Sequence, residues 1–212
     1  MSTIGFYKSL DKMEERECIE KFLLYNASLV VTKVKPSATI TLKKGSNSIY
    51  EKWIKYGKGF LKSIDIGYIN LRECESALII LIYDEEELSN YIFRKENKLF
   101  LTKLGYNDEN NLDVYLKMLK RRYEEFNCPH ELGIFLGYPL DDVRDFMDCS
   151  NKKCLACGYW RVYNDYDNAK EVFNIYDMIK EKAVSFILKG DSSQNVFCNL
   201  KNIIINAESI AV

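Results

Sequence analysis

Residues 77–83 place the strongest constraint on the fold, because the segment ALIILIY is apolar or aromatic at every position. A strand with one face in water alternates apolar and polar side chains, whereas a strand that is covered on both faces does not alternate. The sequence therefore predicts a central strand that is packed against other elements on both sides. Residues 64–71 form a second predicted strand, and the short segment 72–76 predicts an antiparallel hairpin between the two.

Helical patterns surround this hairpin in the sequence, with apolar residues recurring every three or four positions. The predicted helices cover residues 9–25, 47–61, 84–104, 112–126, 139–147 and 167–189. Further extended segments are predicted at residues 27–42, 133–137, 159–163 and 196–205. Because helices and strands are mixed without regular alternation, we expect an α+β fold. It is predicted as a single domain over residues 1–212, with a small mixed or antiparallel sheet packed with several helices.

The composition is that of a globular protein, with 47% apolar and 29% charged residues, and a chain of 212 residues can bury a sizeable core. The net charge of −1 removes a general attraction to nucleic acid, so we expect no nucleic-acid partner. No apolar run approaches the ~20 residues that a membrane-spanning helix needs, and the first residues become charged before a signal-peptide core forms. We therefore expect a cytoplasmic protein with no membrane partner. In that compartment, the seven cysteines are expected to be thiols or metal ligands.

Residues 128–163 carry most of the unusual chemistry of the chain. They contain the single histidine, four of the seven cysteines, two of the three prolines and one of the two tryptophans. Reactive and geometrically special residues that are collected in this way indicate a functional site or a tightly specified junction.

Two motifs in this segment resemble those of a known family. The first is HELGIFLGYPL at residues 130–140, and the second is CGYWRVY at residues 157–163. Together with the Lys35-Pro36 pair, they resemble domain-of-unknown-function family 3793 of clostridia-type anaerobes, over essentially the whole chain. The family has no established activity. The resemblance implies a context, in which the partners are flavodoxin-like or iron- or haem-handling proteins.

Four soft ligands in the segment point to a metal. Cys128, His130, Cys154 and Cys157 supply three thiolates and one imidazole, a donor set that holds zinc tetrahedrally. A structural zinc module that serves protein interaction is therefore one hypothesis. The alternative is that buried thiols line a turn before a strand. A dithiol redox pair is less favoured, because the CLAC segment precedes a predicted strand and does not follow one.

His130 is the single imidazole of the chain, the side-chain type that suits acid/base catalysis near neutral pH. An enzyme that uses His130 with Glu131 or Lys35 is a second hypothesis. Neighbouring side chains diverge on a strand or a helix, so we expect Glu131 to pair elsewhere. For His130 itself we favour a structural imidazole whose two ring nitrogens are hydrogen-bonded to protein at the Cys128-Pro129 junction.

The glycines of the first motif and nearby aromatic residues are candidates for contact with a cofactor. Gly133 and Gly137 allow a backbone or a ligand to approach closely, and Tyr138 and Trp160 add aromatic surfaces. With His130, they form the candidate site for haem or flavin, which we expect less than zinc as a cofactor. The alternative is close packing of a strand at residues 133–137.

Pro139 suits the first position of the short helix that follows. We expect that helix to pack Val143 and Phe146 against the core and to expose Asp141 and Asp142 in its first turn.

Among these hypotheses, we favour a non-catalytic binding or accessory protein in anaerobic iron, haem or flavodoxin-linked redox metabolism. The enzyme with His130 as acid/base and the zinc module are the alternatives.

Overall fold

The structure is a computed structural model that describes residues 3–148 and 152–203. At its centre lies an antiparallel sheet of three strands, in the order β1 (Ser37–Lys43), β3 (Ala77–Tyr83) and β2 (Gly67–Glu73). The register pairs Ile40 of β1 and Asn70 of β2 with Ile80 of β3. The predicted hairpin and the predicted central position of residues 77–83 are both confirmed.

The two faces of β3 belong to two different hydrophobic clusters. Leu78, Ile80 and Ile82 pack into the first cluster, whereas Leu81, with Ile79 against it, packs into the second. Alternate residues of a strand point to opposite faces, so an uninterrupted apolar strand needs a layer on each side. The sheet thus lies between two layers of helices.

The first layer packs on the face that Ile80 occupies. Its helices are α1 (Thr3–Leu10), α2 (Glu15–Val31), α3 (Ile49–Lys52), α4 (Lys58–Ser63), α10 (Tyr166–Leu188) and α11 (Ser193–Lys201), with a π-helical stretch, Trp53–Gly57, between α3 and α4. The second layer covers the opposite face with α5 (Glu85–Ile92), α6 (Lys95–Lys103), α7 (Leu112–Phe126), α8 (Leu132–Phe135) and α9 (Leu140–Met147). A small hairpin of β4 (Ala156–Cys157) and β5 (Arg161–Val162) joins α9 to α10. The architecture confirms the α+β class.

The best-predicted helices carry strong end signals. Asn111 accepts a hydrogen bond from the Val114 amide at the start of α7, and Asp165 accepts one from Asn168 at the start of α10. Such caps satisfy amide groups that a helix end leaves free. The predicted helix over residues 84–104 is two helices, because Arg94 adopts an extended conformation between α5 and α6.

Two predicted extended segments are helical. Residues 27–31 continue α2, where Leu29, Val30 and Val31 are buried in the first cluster, so tertiary packing overrides the strand preference of valine. Residues 196–201 belong to α11, which buries Val196 and Leu200 on one face. Residues 202 and 203 follow the helix without forming a strand, and residues 204 and 205 of the predicted segment lie outside the described residues.

The strand predicted at residues 133–137 is also wrong, since residues 132–135 form the short helix α8. Leu132, Ile134, Phe135 and Leu136 are all buried. A short run that is apolar on every side does not distinguish a buried strand from a buried helical turn. In the described part of the chain, no helix is both long enough and apolar enough to span a membrane.

Candidate functional site

A cavity of about 400 Å³ opens where α8, α9 and the β4–β5 hairpin meet. It is lined by Cys128, Pro129, His130, Leu132, Gly133, Leu136, Tyr138, Asp142, Val143, Phe146, Trp160 and Arg161. These residues come from both sequence motifs, so the fold brings the two motifs together around one space. Ligand pockets typically measure about 300–1,000 Å³ and carry a few polar groups on apolar walls.

Aromatic rings form much of the cavity wall. The His130 ring meets the Phe146 ring edge-on at 4.9 Å between centroids, and the Tyr138 and Trp160 rings lie 5.5 Å apart. The guanidinium of Arg161 lies 5.5 Å from the centre of the Phe146 ring. An imidazole and a cation therefore flank a largely apolar space, which the buried Asp142 also lines.

His130 does not occupy the structural position that we favoured from the sequence. Its side chain is exposed at the cavity and contacts Phe146. Within residues 3–148 and 152–203, neither ring nitrogen takes part in a hydrogen bond, whereas a structural imidazole would have both nitrogens bonded. The geometry leaves the ring free to meet a ligand.

Asp142 is buried, which corrects the expectation that it would be exposed beside Asp141. One carboxylate oxygen accepts a hydrogen bond from the Trp160 indole at 2.8 Å. The other accepts hydrogen bonds from the Tyr163 amide at 2.8 Å and from the amide and side chain of Asn164 at 3.0 and 2.9 Å. A buried carboxylate is tolerated when N–H donors surround it in this way. Asp142 thus fixes the hairpin, and Trp160 with it, onto α9.

Glu131 faces away from the cavity into the second cluster. Its carboxylate is 1% exposed and accepts hydrogen bonds from Arg122 of α7 and from the Tyr106 hydroxyl. The ion pair with Glu131 is the main reason why the pKa of Arg122 is raised. The expectation that Glu131 pairs elsewhere is therefore met, and Glu131 is not among the described residues that line the cavity.

Lys35 lies beneath the cavity wall, with its Nζ 4.9 Å from the centre of the Tyr138 ring. It is 5% exposed, and burial, with the nearby charge of Lys180, lowers the pKa of Lys35 to about 7. Tyr138 separates this amine from the cavity, so the described structure does not bring Lys35, His130 and Glu131 to one point.

The two glycines of the first motif serve close packing. Gly137 has φ of +75°, and a side chain there would meet the Pro36 ring at 2.6 Å. A side chain at Gly133 would meet Val143 of α9 at 2.8 Å. Gly133 also lines the cavity, whereas Gly137 packs against Pro36 of the Lys35-Pro36 segment. The Ser37 hydroxyl donates to the Phe135 carbonyl at 2.6 Å and docks the same segment.

The structure brings two of the four predicted metal ligands together. The sulfurs of Cys154 and Cys157 lie 3.5 Å apart, while Cys128 and His130 lie at the cavity. Burial and the neighbouring Cys128 thiol raise the pKa of Tyr123 to about 12, which places Cys128 against α7. Among the described residues, these four do not form a set with ligand atoms within 4.8 Å of one another. Zinc binding by the four stays a prediction for metal analysis.

Sequence reasoning missed Phe146 and Arg161 as cavity residues and misplaced Asp142. One signal was present for Asp142, because a buried indole needs an acceptor and Trp160 lies in the second motif. Phe146 and Arg161 carried no such signal, since they meet only after α9 and the hairpin have packed.

The fold and the cavity define an α+β protein with a small-molecule-sized apolar pocket under a hairpin that carries two free thiols. A family model described as "Protein of unknown function (DUF3793)" matches residues 23–197, and the chain belongs to that family. The resemblance noted from the motifs is thus confirmed. No curated protein and no solved structure matches the chain.

Proposed function

We propose that the protein binds a planar aromatic ligand with an acidic substituent in this cavity, as a non-catalytic binding or accessory protein of redox metabolism. The observation that carries the proposal is an apolar cavity of about 400 Å³ whose polar groups include an unbonded imidazole and an arginine. Flavin mononucleotide has the proposed chemistry, with a three-ring system and a phosphate.

The cavity walls support an aromatic ligand. Phe146, Tyr138 and Trp160 offer ring surfaces, and stacking against such rings adds about 0.5–1.5 kcal/mol to the burial of apolar area. Trp160 is held in place by Asp142 and by an edge-on contact with Phe173 at 4.5 Å. A wall that is already ordered costs little to organise when a ligand binds.

The charge at the cavity supports the acidic substituent. Arg161 is exposed, and its guanidinium is directed over Phe146. A hydrogen bond with Tyr163 raises the pKa of Arg161, so the side chain is cationic throughout the physiological range. Arginine pairs well with phosphate or carboxylate because its planar fork donates two parallel hydrogen bonds.

The three candidate acid/base residues of the catalytic alternative do not lie together. Of the three candidate acid/base residues, His130 lines the cavity, Glu131 is paired with Arg122, and Lys35 lies behind Tyr138. His130 is therefore proposed to contact the ligand. An imidazole can donate a hydrogen bond to a flavin phosphate, or it can coordinate a haem iron.

Trp160 provides a direct readout of binding. The chain has two tryptophans, and Trp53 is fully buried away from the cavity with no hydrogen-bond partner for its indole among the described residues. The variant Trp53→Phe therefore leaves Trp160 as the only tryptophan signal without breaking a hydrogen bond. Flavin mononucleotide, riboflavin and haem should each be titrated into this variant.

We expect saturable quenching of Trp160 by flavin mononucleotide and weaker binding of riboflavin, which lacks the phosphate. Arg161→Gln should weaken the mononucleotide about five- to tenfold, a loss on the order of 1 kcal/mol, and should leave riboflavin unaffected. Arg121→Gln, at an exposed position on α7, is the matched control. Haem binding would instead shift and sharpen the Soret band of the added haem, a change that His130→Asn abolishes. If none of the three ligands quenches Trp160 saturably, the proposal is wrong.

The partner and the location follow from the ligand in this proposal. A flavin or haem carrier is expected to exchange its cofactor with a flavodoxin-like or iron-handling protein, the partners that the family resemblance implies. Free thiols at exposed positions suit the reducing cytoplasm. Transfer of labelled mononucleotide from the loaded protein to an apo-flavodoxin would support the partner, and loss of the label to solvent alone would argue against it.

A further inference from the structure

The β4–β5 hairpin holds two thiols in contact beside the cavity. Cys154 Sγ and Cys157 Sγ are 3.5 Å apart, and both residues carry free thiols. The separation is van der Waals contact for sulfur, against about 2.05 Å in a disulfide bond. Backbone hydrogen bonds from Leu155 to Val162 and from Gly158 to Trp160 hold the loop that carries them.

The two thiols differ in their surroundings. Cys154 is half-buried and its thiol donates to the Ala156 carbonyl at 3.1 Å, whereas Cys157 is exposed. Partial burial and the neighbouring Cys157 sulfur raise the pKa of the Cys154 thiol. Because its side chain is exposed, Cys157 is the sulfur that solvent reaches.

A cation lies across the hairpin from the exposed thiol. Cys157 pairs with Arg161 in the register of β4 and β5, and the guanidinium interacts electrostatically with both sulfurs. A nearby cation stabilises a thiolate, which is the reactive form of cysteine. Proximity, access and a stabilising charge are the requirements for thiol–disulfide exchange, and none of them depends on a strand preceding the cysteine pair.

We propose that Cys154 and Cys157 form a dithiol–disulfide exchange site that reduces the disulfides of small thiols, with Cys157 as the attacking residue and Cys154 as the resolving residue. The Cys157 thiolate attacks one sulfur of the small disulfide, whose S–S bond breaks and releases one thiolate, which takes a proton from water. Cys154 then loses its proton to solvent and attacks the sulfur of Cys157, which releases the second small thiol. Two electrons pass from the protein to the small disulfide, and the protein is left with an intramolecular disulfide.

Trypsin isolates this site, because Lys153 and Arg161 bound the peptide CLACGYWR. The reduced full-length protein is exposed to oxidised glutathione without any cavity ligand, alkylated, and digested. In wild-type protein, we expect this peptide to resist alkylation and to be lighter than the dithiol by two hydrogen atoms. In Cys154→Ser, we expect Cys157 to retain glutathione as a mixed disulfide.

Cys74 is the matched control within the same molecule. It is exposed, and hydrogen bonding with Ser76 lowers the pKa of its thiol, so it should also react with glutathione. It lies in a different tryptic peptide and should stop at the mixed disulfide, for lack of a resolving thiol. Three results would overturn the proposal: a CLACGYWR peptide that stays reduced while Cys74 reacts, a mixed disulfide that accumulates on wild-type Cys157 as it does in Cys154→Ser, or thiols that a chelator must free before they alkylate. The outcome is independent of ligand binding in the cavity.

Discussion

Lys35 is predicted to make the stability of this protein depend on pH in a way that one substitution removes. Its amine is buried under Tyr138, and its pKa in the folded protein is about 7, against 10.5 for an ordinary lysine. Below about pH 7 both states hold the proton, and the folded state bears the full cost of a buried charge. Between about pH 7 and 10.5 the unfolded state binds more protons than the folded state, so the free energy of unfolding rises with pH.

The size of the effect follows from the two pKa values. A drop from 10.5 to about 7 corresponds to roughly 2.7 kcal/mol of stability gained between about pH 6 and about pH 9. The contact of the charged amine with the Tyr138 ring acts in the opposite direction and contributes about 0.5–2 kcal/mol. The cost of burial is larger, so the sign of the prediction stands.

Lys35→Met keeps the length of the side chain and removes the charge. We expect the stability of the variant relative to wild type to be greater at pH 6 than at pH 9, by up to roughly 2.7 kcal/mol. Burial also lowers the pKa of Lys180, to about 8, but this lysine is present in both proteins and its own contribution largely cancels. Urea unfolding at constant ionic strength, followed by circular dichroism, measures the difference.

Lys33→Met is the matched control, because Lys33 is half-exposed and lies 3.0 Å from the Glu86 carboxylate. Because it retains Lys35, this variant should show the same rise in stability between pH 6 and 9 as wild type, so that its difference from wild type stays constant over this range. A difference between Lys35→Met and wild type that stays constant within about 0.5 kcal/mol over this range would refute a buried amine that titrates near neutral pH.

Three further substitutions test the residues that shape the site, each by urea unfolding. Asp142→Asn should cost about 2–3 kcal/mol, because an amide cannot accept from every donor that meets the carboxylate, whereas exposed Asp141→Asn should change stability by less than about 0.5 kcal/mol. Gly137→Ala should cost more than Gly190→Ala, since both have positive φ but only the first meets the Pro36 ring, and equal losses would mean that packing contributes nothing. Glu131→Gln should cost roughly 3 kcal/mol by leaving the Arg122 guanidinium without its opposite charge, and a loss under about 1 kcal/mol would count against that ion pair.

Sequence patterns predicted elements wherever one residue pattern had one structural solution. The strand at residues 77–83, the helix over residues 112–126 and the long helix near residues 167–189 were all recognisable from local spacing and end signals. Where a run was apolar on all sides, as at residues 133–137, periodicity carried no information and the prediction failed. Val30 and Val31 were misassigned because packing in the first cluster outweighs the local preference of valine.

The sequence indicated which segment carries the candidate site, but not how the side chains of that segment are arranged. The unusual residues of the two motifs identified the segment that lines the cavity, including His130 and Trp160, and the family resemblance was correct. The roles within the segment were harder to predict. Asp142 was expected in water because an aspartate in a first turn usually is, and its burial depends on donors that lie 18 or more residues further along the chain.

The sequence by itself determined the helices and strands whose apolar spacing fits one type of element, the family, and the segment in which the reactive side chains lie. Only the tertiary structure decided that α8, α9 and the hairpin enclose a cavity, that Glu131 turns away from it, and that Cys154 meets Cys157 beside Arg161. The physical reason is the range of the interactions. Periodicity and capping act within a few residues, whereas contacts such as that of Ser37 with Phe135 join positions 98 residues apart and form only when the whole chain packs.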